Sequence, residues 1–124
     1  MARRRIIDPD FWIDDTIAKL DYKTMLLYIG LWNLADSNGV VENNEEKIRV
    51  QIFPYKKTSV VKSLETLVGL KKLIPYEVDK KKYFVIKNFK KWQKESHPAY
   101  KYPPPPTKEE NLPQEQRNWK PPNK

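Results

Sequence analysis

Positively charged side chains are the most numerous groups in this sequence that could bind a ligand. The 124 residues include 24 Lys and Arg against 16 Asp and Glu, which gives a formal net charge of +8. The surplus is concentrated in residues 56–97, which hold 12 basic and 4 acidic side chains. A surplus of this size on a small protein indicates a polyanionic partner. The sequence therefore predicts that residues 56–97 bind a phosphate-bearing polymer.

Three groups of lysines are spaced to contact phosphates along a duplex. Lys56 and Lys57 lie in a predicted turn, Lys62 lies on the exposed face of the next predicted helix, and Lys80 to Lys82 form the tip of a predicted hairpin. We expect the three groups to converge on one side of the fold and to bind double-stranded DNA.

Hydroxyl side chains beside these lysines are candidates for base-edge or phosphate contacts. Ser59, Ser63 and Thr66 are predicted on the exposed face of that helix, and Thr58 or Ser59 can cap it. Because hydroxyls distinguish bases poorly, we expect modest sequence specificity. Arg3, Arg4 and Arg5 add a basic N-terminal arm, predicted to be unstructured and able to lie in a minor groove.

Enzyme chemistry has little support in the sequence. There is no Cys, and His97, the single histidine, precedes Pro98 in what looks like a solvated linker. Asp8, Asp10, Asp14 and Asp15 could bind a cation in principle, but they fall where helix caps and first-turn acids belong. The sequence predicts a protein that is not an enzyme, with neither a metal site nor a cofactor.

The elements that must position the basic groups are a series of short helices followed by a hairpin. Asp8-Pro9 predicts the start of a first helix carrying Phe11 to Ile17, and residues 22–35 predict a helix that is apolar nearly all round. Asn43 with Glu46 resembles a capping box for a third helix that ends by Pro54. The aromatic residues Trp12, Trp32, Phe53 and Phe89 are predicted to lie in the core.

A fourth helix and a hairpin complete the domain. Val60, Val61, Leu64, Leu67 and Val68 form the buried stripe of the helix, and the runs 73–78 and 83–86 read as strands joined by a charged turn. The order predicts an α+β fold, a winged helix-turn-helix with a two-stranded hairpin wing. The apolar second helix could also supply the face of a homodimer.

The C-terminal part of the sequence differs in composition. Eight of the 11 prolines fall in residues 98–124, where apolar residues are too sparse to build a core. We therefore predict a domain at residues 1–97 and a disordered Pro-rich tail at residues 98–124. The longest apolar runs are far short of a membrane span, so we expect a soluble cytoplasmic protein without a membrane partner.

Four stretches of the sequence carry a family resemblance: ARRRIIDPDFWIDD, MLLYIGLWNLADSNGVVE, IFPY and LVGLKKLIPYEVDKKKYFVIKNFKKWQK. They resemble the N-terminal winged-helix domain of phage replisome organisers and DnaD-like primosomal replication proteins, over residues 1 to about 94. The resemblance implies a phage-encoded protein that binds DNA in replication initiation, in the bacterial host cytoplasm, with replisome proteins as further partners. Such proteins usually continue into a second helical domain, whereas a Pro-rich stretch follows here.

Two alternative functions remain open on the sequence. A winged helix can bind a transcriptional operator as well as a replication origin, so the protein could be a phage transcriptional regulator. It could also be an adaptor whose working part is the Pro-rich tail, because Pro103 to Pro106, flanked by Tyr100 and Tyr102, could dock in an aromatic groove.

Overall fold

The computed structural model describes residues 3–93 and 97–105 of the chain. Over these residues the chain has a mixed α+β fold, as predicted, in which helices pack on one face of a three-stranded antiparallel sheet. The elements in chain order are a 3₁₀ helix (Pro9–Ile13), α1 (Asp15–Ala18), α2 (Tyr22–Leu34), β1 (Val40–Glu42), α3 (Glu45–Ile52), α4 (Val61–Gly69), β2 (Leu73–Val78), β3 (Lys81–Ile86) and α5 (Phe89–Trp92).

The first predicted helix is two short helices divided at Asp14. The Asp8 carboxylate accepts a hydrogen bond from the Asp10 N–H and begins the 3₁₀ helix, which confirms the predicted cap. Asp14 has extended backbone angles, and its carboxylate accepts hydrogen bonds from the N–H groups of Thr16 and Ile17. A single helix through this segment was the wrong prediction because Asp14 ends one helix and caps the next.

Helix α2 is the centre of the core, with Leu27 and Leu31 fully buried. It packs closely on α3, since a Cβ atom at Gly30 would lie 2.8 Å from the Ile52 Cδ1 atom. Asp21 occupies the N-cap position of α2, but its side chain makes no capping hydrogen bond.

Helix α3 is capped by Asn44 rather than by Asn43. The Asn44 side chain accepts a hydrogen bond from the Lys47 N–H at 3.0 Å, so the cap lies one residue later than predicted, and Lys47 rather than Glu46 occupies the position where a capping box has Glu or Gln. The helix ends at Ile52, before Pro54, as predicted.

The hairpin prediction is confirmed, with one difference at its tip. Strands β2 and β3 pair from Leu73 with Ile86 to Val78 with Lys81, so Lys81 and Lys82 belong to the strand rather than to the turn. The turn consists of Asp79 and Lys80, and both have positive φ, as a type I′ hairpin turn requires. Strand β1 pairs with the far side of β3, which gives the sheet order β1-β3-β2.

The face of the sheet that points away from the helices is covered by residues 97–105, which we call the strap. The Lys101 and Tyr102 N–H groups donate to Asp36 Oδ2 at 3.0 and 2.9 Å, and the Tyr102 ring lies 5.7 Å from the Tyr83 ring. The Tyr76 hydroxyl donates to the Pro103 carbonyl. The prediction of disorder from residue 98 onwards is therefore wrong for 98–105.

The strap packs on the sheet because both faces of the sheet are apolar, so the outer face also needs a cover. The rest of the predicted tail, residues 106–124, lies outside the described residues.

Candidate nucleic-acid interface

Helix α4 begins without a capping side chain at its N-cap position. Val60 occupies that position, and the nearby Ser59 hydroxyl accepts only a long hydrogen bond, 3.3 Å, from the Val61 N–H. The first N–H groups of a helix carry partial positive charge, and they bind anions when no side chain satisfies them. The start of α4 is therefore suited to a phosphate.

Lys23 of helix α2 lies against this end of α4. Its ammonium group donates to the Ser59 carbonyl at 2.9 Å and to the Thr58 hydroxyl at 3.2 Å. The contact adds a positive charge to the start of α4 that sequence reasoning missed. Lys23 lies 35 residues before Thr58, so no local pattern in the sequence could have revealed it.

A shallow depression connects this end of α4 with α3. It is lined by Lys57 and residues 58–61 on one side and by Glu45, Glu46 and Arg49 of α3 on the other. The Arg49 guanidinium donates to Glu46 at 2.7 Å, and this hydrogen bond lowers the pKa of the Glu46 carboxyl. The two acidic side chains interrupt the positive surface between the helices.

Ser63 does not lie on the exposed face of α4. Its side chain is 3 % exposed, and its hydroxyl accepts a hydrogen bond of 2.9 Å from the Thr24 hydroxyl of α2. The prediction that Ser63 lies on the exposed face is wrong because its position on the helix turns toward α2, where its hydroxyl meets Thr24. Lys62 and Thr66 are exposed as predicted, although the Thr66 hydroxyl donates to the Lys62 carbonyl one turn earlier.

Lys56 and Lys57 are both exposed after the turn that follows α3. The Lys56 carbonyl accepts a hydrogen bond from the Arg49 guanidinium at 3.2 Å, which ties this segment to α3. Lys57 lines the depression with Thr58 and Ser59, so these predicted site residues do lie together.

The hairpin lysines point in different directions. Lys80 lies in the turn, and Lys81 and Lys82 are the first two residues of β3, all three exposed. Because side chains alternate along a strand, Lys81 shares the outer face with Tyr83 and Lys82 shares the core face with Phe84. The expected convergence of all the lysines on one side does not hold for Lys81.

The N-terminal arginines are not an unstructured arm. The Arg5 guanidinium donates to the carbonyls of Trp32 and Ala35, each at 2.8 Å, and lies over the Phe89 ring. The Arg3 side chain donates to the Ser37 hydroxyl and the His97 carbonyl.

There is a physical reason why Arg5 packs on the domain instead of forming a free arm. The last carbonyls of α2 lack helical partners, and a guanidinium satisfies several at once. Arg4 is exposed, so only Arg4 of the three keeps the predicted surface position.

The predicted capping acids are in their expected roles. Asp8 and Asp14 each cap a helix, and no three His, Cys, Asp or Glu side chains among residues 3–93 and 97–105 are placed to hold a metal ion. Over the same residues, none of the helices has the length and apolar character to cross a membrane.

Comparison with protein-family models, with curated proteins and with solved structures finds no match to this chain.

Proposed function

We propose that the chain is a DNA-binding protein of the winged-helix type that acts in the initiation of replication. The single observation that carries the DNA-binding part is the start of α4, where an uncapped helix end lies beside the ammonium group of Lys23. The replication role rests on the resemblance described above.

The order of elements supports the winged-helix part of the proposal. Helices α3 and α4 are joined by an eight-residue connection (53–60), a hairpin follows, and β1 completes a sheet of order β1-β3-β2. In such folds the second helix of the pair enters the major groove and the hairpin contacts the backbone. In this chain α4 would be the groove helix, and Lys80 and Lys82 would meet phosphates.

The roles within α4 follow from its exposed and buried residues. Lys57 and Lys62 would bind phosphates, and Ser59 and Thr66 would lie nearest to base edges. Ser63 would take no part in reading DNA, because its hydroxyl is buried against Thr24. Glu45 and Glu46 would repel the duplex at the edge of the depression, which favours moderate affinity.

Titration with duplex DNA at several salt concentrations tests the proposal. If about five phosphates are neutralised, log K should fall against log salt with a slope of about −4 to −5. Lys57→Ala and Lys62→Ala should each weaken binding to all sequences and reduce the slope by about one. Lys87→Ala is the matched control, since Lys87 follows the end of β3 opposite to the hairpin tip. A slope near zero would reject DNA binding.

A second comparison tests the assignment of α4 as the reading helix. Ser59→Ala or Thr66→Ala should change the preference among sequences, whereas Ser63→Ala should lower the free energy of unfolding by about 1–2 kcal/mol and leave the preference unchanged. Sequencing the fragments that the protein retains separates the two DNA roles: origin fragments support replication, and promoter fragments indicate a transcriptional regulator instead.

A further inference from the structure

An exposed apolar surface lies at the opposite end of the sheet from the hairpin tip, around the 3₁₀ helix and α5. We call it the apolar face, and it consists of four side chains with large exposed fractions: Ile13 77 %, Ile6 57 %, Trp12 56 % and Trp92 42 %. The sequence predicts Trp12 in the core, and this prediction is wrong because the 3₁₀ helix turns its ring outward. An exposed apolar surface of this extent marks an interaction site.

The apolar face surrounds a cavity of about 250 Å³. Three of its four side chains line the cavity, together with aromatic rings such as those of Phe11 and Trp32, which meet edge to face at 5.3 Å between centroids. The Trp12 ring stands beside the opening, 4.9 Å from the Phe11 ring. An apolar cavity of about 150 Å³ binds benzene, so this larger one has room for an indole ring.

The exposed apolar area is that of one side of a protein–protein interface. With about 250 Å² for a whole Trp side chain and about 100 Å² for an Ile, the exposed fractions correspond to roughly 400 Å² of apolar surface. An interface of standard size takes about 800 Å² from each partner, and somewhat more than half of it is apolar. The apolar face can therefore supply the apolar part of one such interface.

Charged side chains of both signs border the apolar face, on different sides of the cavity. Asp8 and Asp10 line the side that the 3₁₀ helix forms, and Lys87 lines the side at the end of β3. Lys91 of α5 lies next to that second side, with its ammonium group 5.1 Å from the centre of the Trp92 ring.

Asp14 and Lys72 line the cavity as well, and they form an ion pair with each other at 3.6 Å. Their charges largely cancel for an occupant, which leaves two carboxylates on one side and two ammonium groups on the other. A partner that carries charge of one sign would be attracted by one side and repelled by the other. The matching partner has an apolar centre with a basic and an acidic side of its own.

A second copy of this chain has that distribution of charge. When two identical surfaces meet about a two-fold axis, every contact between two residues occurs twice, and the acidic side of one copy lies against the basic side of the other. The contact therefore offsets the general repulsion between two chains that each carry a formal net charge of +8.

We propose that the apolar face is the interface of a two-fold symmetric homodimer. In this dimer Trp12 of each copy enters the cavity of the other copy, and the carboxylates of Asp8 and Asp10 lie against the ammonium groups of Lys87 and Lys91 across the interface. The sequence suggested α2 as the dimer face, but α2 has its apolar residues mainly in the core.

The interface lies away from α4 and the hairpin tip, so the dimer goes beyond the proposed DNA binding and can fail separately from it. Duplex titrations at nanomolar protein concentrations measure the monomer, because interfaces of this size with few anchoring side chains have micromolar dissociation constants.

Sedimentation equilibrium of the full chain between about 1 and 300 µM tests the proposal, since a micromolar dimer dissociates within this range. Trp12→Ala should raise the dimer dissociation constant at least tenfold, because a central Trp carries much of the binding energy of an interface. Ile13→Ser should raise it as well, at a side chain exposed enough to leave folding intact. Leu26→Ser is the matched control, since Leu26 is 57 % exposed on α2, and it should leave the constant unchanged.

A charge exchange across the interface tests the orientation of the two copies. Asp10→Lys and Lys87→Asp should each raise the dissociation constant at least threefold, and the chain that carries both substitutions should dimerise about as well as the wild type. Glu65→Lys makes the same change of net charge at an exposed position of α4, and it should have the smaller effect that general repulsion alone produces.

Three results would overturn the proposal. The first is a wild-type chain that stays monomeric over the whole concentration range, which would leave the apolar face to a different molecule. The second is a dimer that Leu26→Ser weakens and that Trp12→Ala and Ile13→Ser do not, because α2 would then be the interface. The third is a double charge variant that dimerises no better than Asp10→Lys alone, since the acidic and basic sides would then not meet.

Discussion

Removing the strap should destabilise the domain substantially. The decisive comparison is between chains ending at residue 105 and at residue 97, because any contribution of residues 106–124 is absent from both. The shorter chain loses the two hydrogen bonds to Asp36, the paired hydrogen bonds of Ala99 with Ser37, and the cover over the outer sheet face.

The expected loss follows from these contacts. Hydrogen bonds to a carboxylate contribute about 1.5–3 kcal/mol each and neutral ones about 1 kcal/mol. Ordering the strap opposes them at roughly 1 kcal/mol per residue, and less at Pro103 to Pro105, whose φ is already fixed. We expect the free energy of unfolding to fall by about 3 kcal/mol, which lowers the melting temperature of a domain of this size by roughly 15 °C.

Urea and thermal unfolding of the two chains measure the difference. A matched pair of substitutions in the full chain isolates the Asp36 contact: Lys101→Pro deletes one N–H donor, whereas Lys101→Ala keeps it. Lys101→Pro should cost about 1.5–3 kcal/mol and Lys101→Ala almost nothing. The reasoning is refuted if the two chains unfold within about 0.5 kcal/mol of each other, a difference typical of ordinary surface changes.

Three further predictions concern single residues of the domain. Arg5→Ala should lower the free energy of unfolding by about 1–3 kcal/mol, because the carbonyls of Trp32 and Ala35 at the end of α2 lose their donor, while Arg4→Ala should leave stability unchanged in the same denaturation assay. Gly39→Ala should cost at least about 3 kcal/mol, since Gly39 has φ +79° and a Cβ would lie 2.5 Å from the Phe89 side chain; Gly69→Ala, where a Cβ meets open space, should stabilise α4 by up to about 1 kcal/mol. Burial opposes ionisation of Asp14, but the N–H groups of its helix and the Lys72 charge outweigh it and hold the pKa of Asp14 below its usual value. The wild-type chain should therefore have a higher free energy of unfolding than Asp14→Asn at neutral pH, by no more than about 0.5 kcal/mol for this partly exposed carboxylate. The difference should disappear as the pH falls below about 4, and a difference that grows on acidification would contradict this sign.

Local patterns in the sequence were sufficient for most of the secondary structure. The β-rich runs 73–78 and 83–86, separated by the charged residues 79–82, predicted the hairpin, because strand propensity and turn residues act over neighbouring positions. Asp8 predicted a helix start for the same reason. Boundaries shifted by a residue where two polar side chains compete for one cap, as Asn43 and Asn44 do.

The strands themselves indicated that a segment would cover the outer face of the sheet, but the many prolines of the C-terminal part pointed to disorder. Residues 83–86 are apolar at four consecutive positions, and Val40 and Val41 are both apolar, which indicates a sheet buried on both faces. The many prolines after residue 98 pointed instead to disorder. Proline does not prevent an extended segment from packing, because the strap contacts the domain through the N–H groups of other residues, such as Lys101 and Tyr102.

By itself, the sequence determined the basic charge, the helical and strand periods, and the lysines of the α3–α4 turn and the hairpin. Only the tertiary structure decided that Ser63 contacts Thr24, that Arg5 donates to the Trp32 carbonyl near the end of α2, and that Lys23 donates to the Ser59 carbonyl at the start of α4. Each of these contacts joins residues 27–39 positions apart. A polar side chain looks the same in sequence whether it meets water or a buried partner, and only packing brings the partner to it.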